Sequence, residues 1–317
     1  MENGDKDHRL ETGATSQSQA PIVAVVRGGM GDFCLLWGVL QRLSGLWAAP
    51  VEVIPLTDGA GDAARLAAEC GAVRVRDFRT VEYQRLMGPR MHAPAPALLE
   101  CLAAARLIIL HDVQHAAELQ LLRARTAGPV VFLDGSVPVR QQNGRHITQH
   151  WAETLARAGV ELGTTGPMAG RLDLGPTGTQ PDRVVLCPGA GNPRKCWPAE
   201  AWRQLADELV ADGRRIRWWI GWGEGPRLQA LVGPGEERVR AGTLAERLRH
   251  DVLPAGCVYA NDSGMAHVAA TCGARVRVVW TAAFGADAPA HWWRPAQDQV
   301  EVIQPPAVVP SVAAVRG

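Results

Sequence analysis

Lys195 is the residue whose surroundings point most directly to chemistry. Arginine supplies almost every positive charge in the sequence, and the only other lysine is Lys6. Lys195 lies in the turn Pro188–Pro198, where Gly189 lets backbone N–H groups approach an anion. A compact ammonium is a point charge that suits phosphate, and Pro198 predicts that a helix begins directly after the turn. The turn predicts a phosphate site; a solvated surface lysine is the alternative.

A second motif, Asn261–His267, has the form of an anion-binding helix start. Asp262, Ser263 and Gly264 follow a predicted strand and precede an apolar helix, whose first N–H groups can hold an anion or a sugar hydroxyl. An ordinary N-cap is the simpler explanation, and both roles can hold together. His267 lies on the apolar helix, and we interpret it as a positioning residue rather than a catalyst.

Asp32 is the candidate general base. It ends the glycine-rich segment Gly28–Asp32, which follows a predicted strand at residues 22–26, so its carboxylate is expected to face a cleft and an acceptor hydroxyl. The alternative is that Asp32 only caps a helix beginning at Phe33. The spacing of these glycines does not match a dinucleotide fingerprint, which argues against redox chemistry.

Other polar residues give weaker signals. Glu224 is predicted to end a strand where a carboxylate can accept both hydroxyls of a ribose, and solvent exposure is the alternative. Histidines four residues apart, His111 with His115 and His146 with His150, could chelate a metal on a helix. Neither pair has an accompanying glutamate or a third ligand, so we expect no metal.

Strands alternate with helices in two series, which predicts an α/β protein with two Rossmann-like, doubly wound parallel sheets. We expect a disordered tail at 1–20, a first domain at 21–160, a linker at 161–182 and a second domain at 183–317. Such a pair binds ligands between the domains, at the carboxyl ends of the strands. The predicted strands are 22–26, 51–55, 106–110, 129–133, 183–187, 215–221, 257–260, 276–280 and 300–303, and the main helices are 33–46, 60–69, 96–104, 114–125, 147–158, 198–211, 243–253 and 264–272.

Composition excludes several classes of protein. No apolar run is long enough for a membrane span, and no signal peptide is visible, so we expect a cytoplasmic protein. Seven scattered cysteines without a Cys-x-x-Cys pair disfavour a disulfide framework and a zinc knuckle. The net charge of +1 gives no electrostatic footprint for nucleic acid or an anionic bilayer. Most tryptophans are interpreted as core residues, while Trp197, Trp222 and Trp292 lie near the motifs and could line the cleft.

The three motifs occur in the order and spacing seen in glycosyltransferase family 9, and the chain resembles the ADP-heptose heptosyltransferases, which have the GT-B fold, over about residues 21–305. The resemblance implies that Asp262 binds hydroxyls of the donor sugar and that Lys195 binds its diphosphate. It implies that Thr243 and Leu244 line the adenine. The other donor-binding positions that it implies are Gly31, Gly189, Ala190, Glu224, Ser263, Gly264, Met265 and His267.

The same resemblance implies a metal-independent, inverting transfer from an ADP-sugar, with Asp32 as base and with no cofactor besides the donor substrate. The expected partners are a small-molecule donor and acceptor. A nearly neutral first domain favours a small, natural-product acceptor over the lipopolysaccharide inner core, which stays the alternative. A nucleotide-sugar epimerase and a non-catalytic nucleotide-sugar-binding protein also stay open. Trp280–Gly285 departs from the Gly-Pro-Thr-like turn usual in the family.

Overall fold

A computed structural model of the chain describes residues 20–76, 96–112, 123–124, 126–135, 143–221, 225–281, 289–303 and 312–316. Residues 1–19 of the predicted tail at 1–20, most of the predicted helix at 114–125, and the departing turn from residue 282 onward lie outside the described residues. So do His115, Trp222 and Glu224, and their predicted roles stay predictions.

The first sheet has five parallel strands in the order β3-β2-β1-β4-β5. Apolar runs bury β1, β2 and β4 on both faces, as expected for parallel strands covered by helices. The strands are β1 Ile22–Val26, β2 Val51–Pro55, β3 Arg74–Val75, β4 Leu107–His111 and β5 Val130–Leu133. The helices are α1 Met30–Trp47, α2 Asp58–Glu69, α3 Pro96–Ala103 and α4 Ile147–Arg157.

The second sheet has six parallel strands in the order β11-β10-β9-β6-β7-β8. Its strands are β6 Gln180–Cys187, β7 Arg215–Trp218, β8 Glu237–Arg238, β9 Ala255–Asn261, β10 Val276–Val279 and β11 Val300–Ile303. Its helices are α5 Ala199–Ala211, α6 Gly225–Gln229, α7 Leu244–Arg247, α8 Gly264–Thr271, α9 Ala290–Trp293 and α10 Val312–Arg316. The two sheets confirm the predicted architecture.

Both sheets reverse their strand order next to their first strand. The first sheet reverses between β1 and β4, and the second between β6 and β9. Open α/β sheets bind ligands in the crevice outside the carboxyl ends of the strands at such a switch point. The loops after β1, β6 and β9 are the three motifs singled out in the sequence, so the topology brings each motif to a switch point.

The predicted start of α1 was wrong by three residues, because the helix begins at Met30 rather than Phe33. Asp32 is therefore not an N-cap but lies within the first helical turn, and Gly29 occupies the cap position. β6 also begins three residues before the predicted 183, and β7 ends at Trp218, short of the predicted 221. The helix predicted at 243–253 changes to π-helical geometry over Leu248–Val252. The other predicted boundaries within the described residues shift by at most two residues.

The segment predicted as a linker crosses between the two sheets. It contains no helix or strand until β6 begins at Gln180, inside the predicted linker. The Arg171 carbonyl accepts a hydrogen bond from the Trp37 indole at 3.0 Å, and Leu172 N–H donates to the Thr271 carbonyl at 3.0 Å. The segment thus fastens α1 to α8, while the exact domain boundaries stay predictions.

Candidate functional site

The Lys195 turn is held open by the buried side chain of Asn261, the last residue of β9. Its Nδ2 donates to the Pro188 carbonyl at 2.6 Å, and its Oδ1 accepts from the Trp197 N–H at 3.0 Å. One fully buried amide therefore satisfies both ends of the turn. No role was predicted for Asn261, although an amide at the end of an otherwise apolar strand is a signal for one.

The middle of the turn has two further supports. The Asn192 side chain accepts from the Arg194 N–H at 3.0 Å and starts a 3₁₀ turn over Pro193–Lys195. The hydroxyl of buried Thr281, directly after β10, donates to the Arg194 carbonyl at 2.8 Å. A helix follows as predicted, although Pro198 is its N-cap and α5 begins one residue later. These contacts fix the backbone on which Lys195 stands.

Lys195 and Asp262 form an ion pair. Lys195 Nζ lies 2.7 Å from Asp262 Oδ2, and the lysine side chain is 26% exposed, whereas that of the aspartate is only 7% exposed. Burial alone would raise the pKa of Asp262, but the pKa is lowered because interactions with the neighbouring His267 and with the charge of Lys195 outweigh the burial. The structure thus joins two predicted site residues from neighbouring loops of the second sheet.

The start of α8 is not capped by a side chain. Ser263 occupies the N-cap position, yet its hydroxyl makes no cap hydrogen bond, and its buried Oγ has no hydrogen-bond partner in the described part of the chain. Gly264 and Met265 follow as the first two helical residues. The ordinary N-cap explanation therefore fails for Ser263. An uncapped helix start beside an ammonium group fits an anionic ligand.

On the first sheet, Asp32 is held by its own helical turn. Gly28 adopts a φ of +129°, which favours glycine, and the Gly29 N–H donates to Asp32 Oδ2 at 2.6 Å. Side chains at Gly28 and Gly31 would crowd this corner, since a Cβ at Gly28 would lie 2.7 Å from Asp32 Oδ2. The glycine-rich loop therefore orients the carboxylate through the local backbone.

Close packing of α1 on α8 brings the two halves of the site together. A Cβ on Gly31 would lie 3.0 Å from His267 Cδ2, and a Cβ on Gly264 would lie 3.0 Å from Met30 Cβ. The buried His267 ring in turn places Nε2 3.9 Å from Asp262 Oδ1. The Asp32-bearing helix thus contacts the imidazole that neighbours the Asp262–Lys195 ion pair.

The other predicted donor residues lie at varied distances from this centre. Gly189 is buried and Ala190 is half-buried within the pinned turn. Thr243 caps α7, where its hydroxyl accepts from the Glu246 N–H at 3.2 Å, and Leu244 is a partly buried residue of the same turn. Because α7 contacts α2, this turn lies where the second half meets the first. Contact with adenine stays a prediction.

The histidines have structural environments. His146 is the N-cap of α4 rather than a helical residue, and its two ring nitrogens lie 2.8 Å from Thr148 Oγ1 and 2.8 Å from the Arg294 carbonyl. Burial is the main reason why the pKa of His146 falls to about 4. Among the residues that the structure describes, no three His, Cys, Asp or Glu side chains are grouped to hold a metal ion.

Two predicted cleft tryptophans are core residues instead. Trp197 is 2% exposed and stacks edge-to-face on Trp202, and Trp292 is fully buried. The neighbouring Trp293 is only partly buried, and the sequence analysis did not select it. Across the described ranges, no helix is both long and apolar enough to cross a membrane.

Comparisons with known proteins agree with this arrangement. Solved structures share the fold across most of their length: E. coli heptosyltransferase WaaC with ADP has a TM-score of 0.66 at 18% identity, covering 93% of this chain and 98% of that one. E. coli ADP-heptose lps heptosyltransferase II gives 0.66 at 13% identity, with coverages of 93% and 96%. A glycosyl transferase family 9 structure from Veillonella parvula DSM 2008 gives 0.63 at 14%, with coverages of 90% and 86%.

These likenesses identify the two-sheet arrangement as the GT-B fold. No curated protein sequence matches the chain at a significant level. The sequence model described as glycosyltransferase family 9 (heptosyltransferase) matches residues 123–307, which is more than half of the chain and includes the Lys195 turn and the Asp262 motif. The chain therefore belongs to glycosyltransferase family 9.

Proposed function

We propose that the protein transfers a heptose from ADP-heptose to a hydroxyl of a small-molecule acceptor, with inversion and without a metal ion. One observation carries the proposal: the Lys195–Asp262 ion pair lies beside the uncapped start of α8, and α8 packs directly on the start of α1, which bears Asp32. A single displacement at a sugar carbon requires a positively charged site that binds the leaving diphosphate and a carboxylate on the opposite lobe that activates the attacking hydroxyl.

The donor site would bind the pyrophosphate through Lys195 and backbone N–H groups. The ammonium has three donors and its side chain is 26% exposed, with Asp262 2.7 Å away, so Lys195 can contribute a charged donor to the phosphate oxygens. The first N–H groups of α8, from Gly264 and Met265, and those of Gly189 and Ala190 would complete the cradle. We assign Ser263, whose Oγ has no described partner, to the same diphosphate.

The sugar would lie between the two lobes. Asp262, kept ionised by its neighbours, accepts hydrogen bonds from heptose hydroxyls, and His267 holds that carboxylate in place. Glu224, Thr243 and Leu244 would contact the nucleoside, and Gly31 leaves room at the meeting of the helices. No residue in this scheme requires a metal ion, because Lys195 and the helix start carry the positive charge.

In the chemical step, one proton moves from the acceptor to Asp32, and the bond from the anomeric carbon to ADP is replaced by a bond to the acceptor oxygen. Asp32 Oδ2 is occupied by the Gly29 N–H, so the other oxygen takes the proton of the acceptor hydroxyl. The acceptor oxygen forms a bond to the anomeric carbon from the side opposite the diphosphate. The bond from that carbon to the phosphate oxygen breaks, and its electron pair leaves on ADP, where Lys195 stabilises the added charge.

Binding measurements test the donor assignment first. Thermal unfolding with ADP-, UDP- and GDP-sugars should show the largest stabilisation with ADP-heptose, because binding to the native state raises its apparent stability. A preference for UDP-sugars would contradict the assignment.

Asp32→Asn then tests the base. We expect release of ADP from ADP-heptose, with water or an added sugar as acceptor, to fall by about 10²–10⁴-fold while the Kd for ADP-heptose stays within about threefold. Asp62→Asn is the matched control, since Asp62 is an exposed carboxylate of the same lobe that pairs with Arg65. Turnover that survives in Asp32→Asn would remove the base from the mechanism.

A further inference from the structure

The switch point of the first sheet has a second acidic residue, on the strand next to the Asp32 loop. The Arg27 N–H donates to the His111 carbonyl at 3.1 Å, and His111 Nδ1 lies 2.9 Å from the Arg27 carbonyl. These contacts clamp the end of β1 to the end of β4. Asp112 follows His111 immediately and therefore leaves the sheet beside the loop that leads to Asp32.

Asp112 is firmly placed at this edge. Its N–H donates to the Leu133 carbonyl at 3.2 Å, and its Oδ1 accepts from the Gly135 N–H at 3.3 Å. Its φ of +54° is uncommon for a residue other than glycine, although aspartate is among those that tolerate it. With 32% of its side chain exposed, the carboxylate is accessible from solution.

Among the described residues, burial and neighbouring carboxylates outweigh the groups that stabilise the charge of Asp112. Burial is the main cause that raises the pKa of Asp112, the charges of Asp32 and Asp134 raise it further, and His111 and the Gly135 N–H act in the opposite direction. His111 Nδ1 is 3.7 Å from Asp112 Oδ2, but it lies closer to the Arg27 carbonyl. A cation arriving from solution would relieve this imbalance.

An aromatic ring borders the same position. A Cβ on Gly135 would collide with the Trp293 ring, so the indole packs on the residue whose N–H holds Asp112. The ring belongs to α9, and the contact of His146 Nε2 with the Arg294 carbonyl at 2.8 Å fastens that segment to the first lobe. Trp293 is only partly buried.

We propose that Asp112 and Trp293 select the acceptor, and that they favour a sugar-like or cyclitol-like ring bearing a protonated amino group beside the hydroxyl that reacts. The ammonium pairs with Asp112, the ring packs on the Trp293 indole, and the hydroxyl faces Asp32. A phosphorylated or carboxylated acceptor meets two carboxylates instead and is disfavoured. This inference rests on the proposed function, since it assumes that Asp32 faces the acceptor.

Binding of three matched probes to the ADP-loaded protein tests the inference. The methyl glycosides of glucosamine, glucose and glucuronic acid share one ring and differ in carrying an ammonium, no charge or a carboxylate. We expect the glucosaminide to bind at least about tenfold more tightly than the glucoside, and the glucuronide to bind most weakly, because a partly desolvated charge pair is worth more than about 1.4 kcal/mol.

Two variants separate the contribution of the Asp112 charge from that of the Trp293 ring. Asp112→Asn keeps an oxygen for the Gly135 N–H and should erase most of the preference for the glucosaminide, whereas Trp293→Leu should weaken the glucosaminide and the glucoside alike. Asp62→Asn serves as the control. Equal binding of the three probes, tighter binding of the glucuronide, or no binding of any of them would overturn the inference.

The ADP affinity, measured on the same samples, distinguishes this failure from failure of the proposed function. If ADP binds and Lys195→Ala abolishes that binding while the probes show no preference, only the acceptor inference fails. If ADP does not bind, the proposed function fails with it.

Discussion

The carboxyl edges of the two sheets present their site residues in different ways. On the second sheet, side chains from β9 and from the segment after β10 reach across to hold the loop after β6: Asn261 binds both ends of the Lys195 turn, and Thr281 binds its middle. On the first sheet, Asp32 is held by the Gly29 N–H of its own turn. The Lys195 turn, at the donor edge, is thus braced by buried side chains at both ends and in its middle. At the acceptor edge, the Asp32 carboxylate itself is held by a backbone N–H, although side chains of His111 and Thr57 support the loop before it at Arg27 and Gly28.

This difference matches the chemistry proposed for each edge. A nucleoside diphosphate is the same in every turnover, so a preorganised cradle gains affinity because little ordering remains to be done on binding. An acceptor can change between related enzymes through a few side chains on an otherwise constant frame. Apart from loss of the base Asp32, we therefore expect substitutions at the donor edge to have the larger and more uniform effects.

Among the substitutions at the donor edge, replacing Lys195 should cause the largest loss of activity. Lys195→Ala removes the ammonium that stabilises the departing ADP, and we expect kcat/KM for ADP-heptose to fall by about 10³-fold. Lys195→Arg should restore only part of the activity, because a planar guanidinium does not replace a compact charge on a fixed turn. Lys6→Ala, at the other lysine of the chain, is the control, and an equal loss in both variants would refute a specific role.

Much of this arrangement could be predicted from the sequence. Apolar runs alternating with helical patterns predicted the two sheets, and the Gly/Pro-rich turn around Lys195 drew attention to the correct loop. The pairing of Lys195 with Asp262 was not predicted, because the ammonium and the carboxylate were given separate tasks, diphosphate and sugar. Their contact depends on the adjacency of β6 and β9, which short motifs do not encode.

The misplaced start of α1 has a local explanation. Glycines at 28, 29 and 31 suggested that the helix begins only after Asp32, since glycine is a poor helix former. Tertiary packing overrides that propensity here, because Gly31 lies against His267 and a larger residue would not fit. Similarly, the sequence could not tell buried Trp292 from partly exposed Trp293, since which of two adjacent side chains faces the core depends on how α9 docks.

Asn261→Ala tests the bracing of the donor edge. The substitution removes the hydrogen bonds that the side-chain amide makes to the buried Pro188 carbonyl and to the Trp197 N–H, so we expect a loss of about 2–4 kcal/mol in the free energy of unfolding by urea, and weaker binding of ADP. Asn192→Ala, which removes one exposed hydrogen bond from the same turn, should cost about 1 kcal/mol or less. Equal losses in the two variants would show that Asn261 is not a brace.

The burial of His146 where the two halves meet should make the stability of the protein sensitive to acid. Because the pKa of His146 is lowered to about 4, folding favours the neutral ring, and this stability is present above the ordinary pKa of about 6.5 and is lost as the pH falls towards 4. The loss should reach about 3 kcal/mol in the free energy of unfolding. His146→Asn retains a good N-cap residue and should flatten the pH profile over this range; an unchanged slope would assign the acid sensitivity to other groups.

Two glycine substitutions in α1 test whether the donor edge and the acceptor edge are coupled through His267. Gly31→Ala places a methyl group 3.0 Å from the His267 ring, which should cost about 1–3 kcal/mol in stability and reduce kcat/KM about tenfold by moving the ring away from Asp262. Gly45→Ala, on the same helix with no atom within 4 Å of its added carbon, should instead stabilise the protein by about 0.5–1 kcal/mol.

The double variant Gly31→Ala/His267→Ala separates crowding from catalysis. Removing the ring relieves the collision, so stability should recover, whereas activity should stay low because Asp262 loses its buried neighbour. If Gly31→Ala lowers stability but leaves kcat/KM unchanged, the imidazole fills space between α1 and α8 without holding the Asp262–Lys195 pair. The braced donor edge would then be independent of the helix that carries Asp32.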